Sequence, residues 1–307
     1  MSTPGFTPFP RRICLYLCGI LLVGGGMDSL VYGQENSTTP PREVPLKETP
    51  FLQLSNHSID RYGDIALAIE SKKWKHAETE NLIIHYRRAT EARRAVREIE
   101  FTLWFVSKFL EAAKLSQPQK AHVFIFEDKK EWEDFLAKSK FAHTWADSFA
   151  YGGNLFLNIG GASEGFNSFL LAHETTHIAV SRIYQQTRWP LWLNEGFAEY
   201  MASAAIAARR GQTLKSLQRP LEYADIPRDT LLALSTYPSE EDAIWAFYQS
   251  SERLIRFLLT RLPKEQFTHF VDEIVRGSSF ETALLAAYPK QIPNLAKFEK
   301  EYAKFKK

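Results

Sequence analysis

The chain has 307 residues, of which 45% are hydrophobic and 24% are charged. This composition supplies enough apolar side chains for a globular core and excludes a collagen-like or wholly disordered protein. Its 38 lysines and arginines nearly balance 36 aspartates and glutamates, which gives a formal net charge of +2. The chain therefore lacks the overall basic character that nucleic-acid binding favours, and no nucleic-acid partner is expected.

Residues 1–33 are predicted to form a signal peptide. Arg11 and Arg12 precede an apolar run at residues 13–26, and cleavage is expected after the glycine at position 33. An uncleaved membrane anchor is the alternative, and it is disfavoured because the run is shorter than the ~20 residues that a transmembrane helix needs. Both cysteines lie in this leader, and the exported protein would contain no disulfide. We expect a periplasmic, cell-envelope or secreted location, with membrane contact only if the leader is retained.

The rest of the chain divides into a linker and one domain. Residues 34–51 contain four prolines and little to bury, so a disordered linker is expected there. Residues 52–307 are expected to form the domain, with an α/β lobe at about 78–165 and a helical lobe at about 166–307. The first lobe is predicted to contain strands at 81–86 and 120–126, helices at 89–115 and 131–139, and a hairpin at 148–158. The second is predicted to contain helices at 166–185, 190–210, 240–262, 264–276 and 293–306. A further helix is predicted to begin with a capping box from Ser278 to Glu281 and to end at Ala287.

The sequence His173-Glu174-Thr175-Thr176-His177 carries the clearest chemistry. On a helix, histidines four residues apart lie on one face, where both imidazoles can bind the same ion. Glu174 lies beside them, where its carboxylate can take a proton from a water molecule. The alternative is that both histidines are satisfied within a core or at the surface.

A catalytic zinc takes three protein ligands and leaves one position open. A third histidine six residues after His177 is excluded, because position 183 is isoleucine. Glu195 and Glu199 instead lie four residues apart in the otherwise apolar stretch 189–200. Because an unpaired buried carboxylate is costly, a nearby cation is the simplest explanation for them.

The segments 171–177 and 192–200 resemble the gluzincin zinc metallopeptidases, the superfamily of thermolysin and the zinc aminopeptidases, and most closely the peptidase MA-like family. The resemblance implies an α+β, thermolysin-like (zincin) catalytic domain. In that domain a small mixed β-sheet lobe precedes an all-helical lobe, and the active-site helix lies between them. It also implies one Zn²⁺ per chain. The residue roles that it implies are zinc ligands at His173, His177 and Glu195, a general base at Glu174, and a ligand-orienting carboxylate at Glu199.

The same resemblance suggests a tyrosine that donates a hydrogen bond to the developing oxyanion. Tyr248 is the candidate, with Tyr237 and Tyr223 as alternatives and a plain core tyrosine as the remaining interpretation. The motif by which aminopeptidases recognise a free amino terminus is absent from residues 152–158. An endopeptidase is therefore expected rather than an exopeptidase.

An extended peptide or protein substrate needs a strand edge to pair with. Residues 154–158 are predicted to be that edge strand, and the predicted substrate-binding residues are Asn154, Leu155 and Phe156.

The sequence thus predicts an exported zinc metallopeptidase. The alternative from another class is a non-catalytic, peptidase-like module that keeps zinc and serves as a scaffold or binds peptides. A purely structural zinc is disfavoured, because such sites usually have four ligands rich in cysteine. The other six histidines lie outside any ligand spacing and are predicted to be structural or at the surface: His57, His76, His85, His122, His143 and His269.

Overall fold

The computed structural model describes residues 46–110, 120–140, 146–160, 167–184, 189–214 and 222–305. The predicted signal peptide and most of the predicted linker lie outside these ranges. The end of the predicted linker is folded: Glu48 forms an antiparallel bridge with Ala77, and the Thr49 N–H donates to the carbonyl of His76 at 2.8 Å. The folded part of the chain therefore begins before residue 52.

Five strands form one mixed sheet in the order β1-β2-β3-β5-β4. The three central strands are parallel, and an antiparallel strand flanks them on each side. The bounds are β1 Lys75–Glu78, β2 Leu82–Tyr86, β3 Ala121–Phe126, β4 Ser148–Tyr151 and β5 Asn154–Asn158. The predicted hairpin is confirmed: β4 and β5 are joined by Gly152 and Gly153, whose φ angles of +60° and +80° only glycine adopts at little cost.

The prediction that strand 154–158 is an edge strand is wrong. β5 pairs with β3 on one side and with β4 on the other, so β4 forms the edge. Leu155 and Phe156 are fully buried, one in each of the two cores that cover the sheet faces. A strand that buries both of its faces is stable in the interior of a sheet, where neighbours also satisfy its main chain.

Helices cover both faces of the sheet and build the rest of the molecule, which confirms an α+β fold. The bounds are α1 Arg61–Ala68, α2 Ala89–Phe109, α3 Lys129–Ser139, α4 Ser168–Ile183, α5 Leu191–Arg210, α6 Arg228–Ala233, α7 Glu241–Arg261, α8 Phe267–Val275, α9 Phe280–Ala287 and α10 Leu295–Phe305. The cap of α9 differs from the prediction, because the side chain of Ser279, not Ser278, accepts from the Thr282 N–H. Over the described ranges, no helix combines the length and apolarity needed to cross a membrane.

Two hydrophobic cores separate the faces of the sheet. On one face, Val123, Ile125 and Leu157 join a large core shared by α2, α4, α5 and α7. On the other face, Phe124 and Phe126 join a smaller, mainly aromatic core with α1 and α3. The alternation of β3 side chains between these cores follows from the period of two in a strand. The helix α4, which contains the two motif histidines, belongs to the large core and contacts β4 and β5.

Candidate metal centre

The helix α4 presents the motif in its middle turns. Its amino terminus is capped by Asn167, whose side chain accepts from the N–H groups of Phe169 and Leu170 at 2.9 and 3.3 Å. The two threonines of the motif turn their hydroxyls back onto carbonyls of the same helix. His173 is buried and His177 partly buried, and their rings lie 4.8 Å apart. The predicted helical spacing therefore brings the two imidazoles together.

The helix α5 supplies the two carboxylates, and its own position depends on Gly196. A Cβ atom at that residue would lie 2.4 Å from the carbonyl oxygen of Ser251 on α7. The main chains of α5 and α7 thus touch at this point, which a side chain would prevent. Glu195 precedes this contact directly, and Tyr248 lies one turn before Ser251 on α7.

Three ligand atoms converge on one position. The Nε2 atoms of His173 and His177 are 3.1 Å apart, and they lie 3.2 and 3.5 Å from Oε2 of Glu195. Two ligands that bind a tetrahedral ion at ~2.0–2.1 Å are about 3.3–3.4 Å from each other. Among the described residues, this is the group of three whose spacing could hold a metal ion.

The charges of the group explain why the three side chains tolerate burial. Burial alone would lower the pKa of His173, but the carboxylates of Glu195 and Glu199 raise it well above its usual value. Burial alone would raise the pKa of Glu195, but His177 and His173 hold it well below the usual range of a carboxyl group. A proton on His173 thus balances the buried carboxylates in the free chain. A bound cation would do the same, and the ligands must release their protons to bind it.

Glu199 lies behind His173, on the side away from the convergence point. Its Oε1 is 3.0 Å from Nδ1 of His173, although the N–H direction is off the ideal line for a hydrogen bond. A carboxylate at this nitrogen favours the tautomer in which Nδ1 carries the proton and Nε2 is free to bind an ion. The predicted pairing of Glu199 with a ligand histidine therefore has its partner within reach.

Glu174 is close enough to His173, His177 and Glu195 for their charges to act on its pKa, but it is not part of that group of three. Its Oε2 accepts a hydrogen bond from the Ala150 N–H of the edge strand β4 at 2.9 Å. Burial raises the pKa of Glu174, while the two imidazoles and the Ala150 N–H lower it in part. A carboxyl group whose pKa is raised and whose position is fixed near a possible metal site is suited to proton transfer.

Two tyrosines complete the group. The hydroxyl of Tyr237 donates to Oε1 of Glu195 at 2.8 Å, and the side-chain amide of Asn194 donates to the same oxygen at 3.2 Å. The ring of Tyr248 lies 6.1 Å from the His173 ring and 6.2 Å from the Tyr237 ring. Burial, followed by the charge of Glu195, raises the pKa of both tyrosines, so both carry their protons at neutral pH. Tyr223 packs instead against Trp245.

Tyr248, the preferred candidate, lies near the group, and the sequence gave no sign that Tyr237 bonds to Glu195. It also missed Ala150, the partner of Glu174, because a main-chain donor leaves no mark in a sequence. The side chain of Asn154, a predicted substrate residue, is used elsewhere. Its Oδ1 accepts from the main-chain N–H of His122, and its Nδ2 donates to Asp60.

No protein-family model matches this chain, and none of the curated proteins matches it either.

Proposed function

We propose that this chain is a zinc-dependent peptidase of the gluzincin type, with a thermolysin-like catalytic domain that is exported by its leader. The observation that carries the proposal is the convergence of His173, His177 and Glu195 within 3.5 Å of one another, with the carboxylate of Glu174 beside them. Two imidazoles and one carboxylate are a ligand set that zinc accepts, and they leave a fourth position open. When bound, zinc would polarise the scissile carbonyl and lower the pKa of a water molecule.

Glu174 performs the proton transfers in this proposal. Its carboxylate accepts the proton of the attacking water and later donates it to the leaving amine. The Ala150 N–H holds one carboxylate oxygen, which leaves the other free to face the reacting atoms. Since its raised pKa lies closer to neutrality than that of an exposed glutamate, the carboxyl group can both take up and release a proton.

The edge strand β4 is the surface on which a peptide would pair. Tyr151 and Asn154 flank a two-residue turn, so they form a hydrogen-bonded pair, and so do Phe149 and Phe156. The main-chain groups of Ser148 and Ala150 therefore point away from β5. The Ala150 N–H bonds to Glu174, which supports this assignment and leaves the remaining outward groups for an extended peptide. The substrate strand proposed here is thus β4, in place of the predicted residues 154–156.

The tyrosines supply hydrogen-bond donors in the same place. Tyr237 holds the oxygen of Glu195 that faces away from the histidines, which keeps the other oxygen directed toward them. Tyr248 has its ring beside His173 and is the donor proposed for the oxyanion.

The proposal is tested by incubating the purified chain and one equivalent of zinc with a mixed peptide library, with mass spectrometry to detect cleavage. Glu174→Gln keeps the size of the side chain but removes the proton acceptor. We expect it to retain about one zinc per chain by elemental analysis and to lose at least ~10²–10⁴-fold in hydrolysis. Glu195→Gln should lose most of its zinc. Glu273→Gln, a surface change on α8, is the matched control and should keep both zinc and activity.

Undiminished hydrolysis in zinc-loaded Glu174→Gln would contradict the mechanism. A wild-type chain that binds one zinc and cleaves no peptide would instead support the non-catalytic scaffold or peptide-binding module. Full zinc content in Glu195→Gln would move the third ligand to another residue.

A further inference from the structure

A polar cavity of about 210 Å³ lies at the amino-terminal ends of β3 and β5. Its walls come from the loop before α1, the start of β3, the turn between β4 and β5, and the last turn of α4. None of His173, His177 and Glu195 lines this cavity. The charged or polar side chains of the walls include Asp60, Lys120, His122, Asn154 and Arg182.

The wall residue His122 has a buried ring nitrogen that lacks a partner. The residue is 1% exposed, and its Nε2 atom makes no hydrogen bond within the described part of the chain. Its other nitrogen, Nδ1, bonds to Nε2 of His85 at 2.9 Å. A buried polar atom without a partner destabilises the fold. His122 is one of the residues that line the cavity, so an occupant that reaches its ring would give this atom a partner.

His122 is the inner end of a row of three imidazoles that crosses β1, β2 and β3. His76 Nδ1 and His85 Nδ1 are 2.8 Å apart, and the bond from His85 to His122 continues the row. These three histidines, which were predicted to be structural or at the surface, thus bond to one another across the sheet. Burial lowers the pKa of His85 well below its usual value and that of His122 to about 4, so both rings are neutral at pH 7.

A neutral imidazole has one N–H donor and one acceptor nitrogen, so the row has two consistent arrangements. In the first, His122 and His85 carry their protons on Nε2 and His76 carries its proton on Nδ1. In the second, every proton moves to the other nitrogen, and Nε2 of His122 becomes an acceptor. The chemistry of the occupant therefore selects the tautomer of all three rings.

The other wall groups favour an occupant that accepts hydrogen bonds. Lys120 donates one of its three protons to Glu78 at 2.9 Å, and the guanidinium of Arg182 adds a second cation to the wall. The one wall carboxylate, Asp60, already accepts from the Gly63 N–H at 2.8 Å and from the Asn154 amide at 3.0 Å. The charged side chains that line the cavity are thus two cations and one carboxylate.

We propose that this cavity is a binding site for a small oxyanion of the carboxylate or phosphate type. The oxyanion accepts hydrogen bonds from Lys120 and from Nε2–H of His122, and its binding selects the first arrangement of the imidazole row. This site is independent of the proposed peptidase activity and of the metal.

The test follows the imidazole nitrogens of the full-length chain by two-bond proton–nitrogen NMR at pH 7. Sodium acetate and sodium phosphate are titrated separately at constant ionic strength, against sodium chloride and methylammonium chloride. We expect saturable binding of acetate or phosphate, with His122 and His85 in the Nε2–H form and His76 in the Nδ1–H form. Lys120→Gln should weaken this binding about tenfold, as expected for one lost charge-assisted hydrogen bond. Lys73→Gln is the matched control, because Lys73 also pairs with a glutamate but lies outside the cavity, and its affinity should be unchanged.

A response to methylammonium alone, or the opposite tautomers at saturation, would overturn the oxyanion assignment. A response to neither probe would also overturn it and would leave the cavity to ordered water. If Lys120→Gln does not fold, the tautomers of the wild-type chain still decide between these outcomes.

Discussion

Gly196 is the residue at which packing and the proposed metal centre can be tested together. In Gly196→Ala, the new Cβ would lie 2.4 Å from the Ser251 oxygen, 2.6 Å from its carbonyl carbon and 3.0 Å from Cγ1 of Ile255. Ordinary contacts of a Cβ atom begin at 3.4 Å and contacts under 3.0 Å are essentially never seen, so the main chains must move apart at this point. The closest atoms belong to the backbone of α7, which cannot move aside as a flexible side chain would.

The expected magnitude is the difference between two effects. Overpacking of this kind typically costs ~1–3 kcal/mol, whereas alanine in place of glycine stabilises a helix by up to ~1 kcal/mol. We expect a net loss of about 1–2 kcal/mol in the free energy of unfolding. For a domain of this size, each kcal/mol lowers Tm by ~2–4 °C. Because Glu195 is the neighbouring residue, the separation of α5 from α7 should also weaken zinc binding.

Urea denaturation followed by circular dichroism measures the first effect, and zinc content by elemental analysis measures the second. The matched control is Ala208→Gly, at an exposed position of the same helix. It should lose ~1 kcal/mol through helix propensity alone. A Gly196→Ala chain that is as stable as the wild type and keeps its zinc would refute the close approach of α5 and α7.

Two further predictions concern single side chains. Tyr237→Phe removes the 2.8 Å hydrogen bond to Glu195 and should lower both zinc affinity and the rate of hydrolysis. Tyr248→Phe should keep its zinc and lose about 10²–10³-fold in hydrolysis. Equal zinc affinity in the two variants would contradict these separate roles. For His122, burial lowers the pKa from 6.5 to about 4, so the unfolded chain binds more protons between these pH values and stability must fall as the pH falls through that window. The loss in the free energy of unfolding approaches about 3 kcal/mol at pH 4. Urea denaturation at pH 7 and pH 5 should show part of this loss in the wild type and less of it in His122→Asn. An equal loss in both chains would refute the assignment to this residue.

Much of the proposed metal centre could be read from the sequence, because its decisive spacings are local. In a helix, residues four apart always share a face, so His173 and His177 had to meet once α4 formed, and Glu195 and Glu199 likewise on α5. The hairpin at Gly152 and Gly153 was equally predictable, since a tight turn needs glycine. These predictions depend only on the geometry within a few residues of the chain, and that geometry is the same in any helix or tight turn.

The tertiary structure alone decided how distant segments meet. The edge position of β4 rather than β5 depends on which strand pairs with β3, some thirty residues earlier in the chain. The strand β1, with the sequence Lys-His-Ala-Glu, was not predicted, because it lacks the apolar alternation by which strands are recognised. The contact of Tyr237 with Glu195 and the row of three histidines likewise join residues on different elements. Such pairings depend on how whole helices and strands pack, and a local sequence pattern contains no information about that packing.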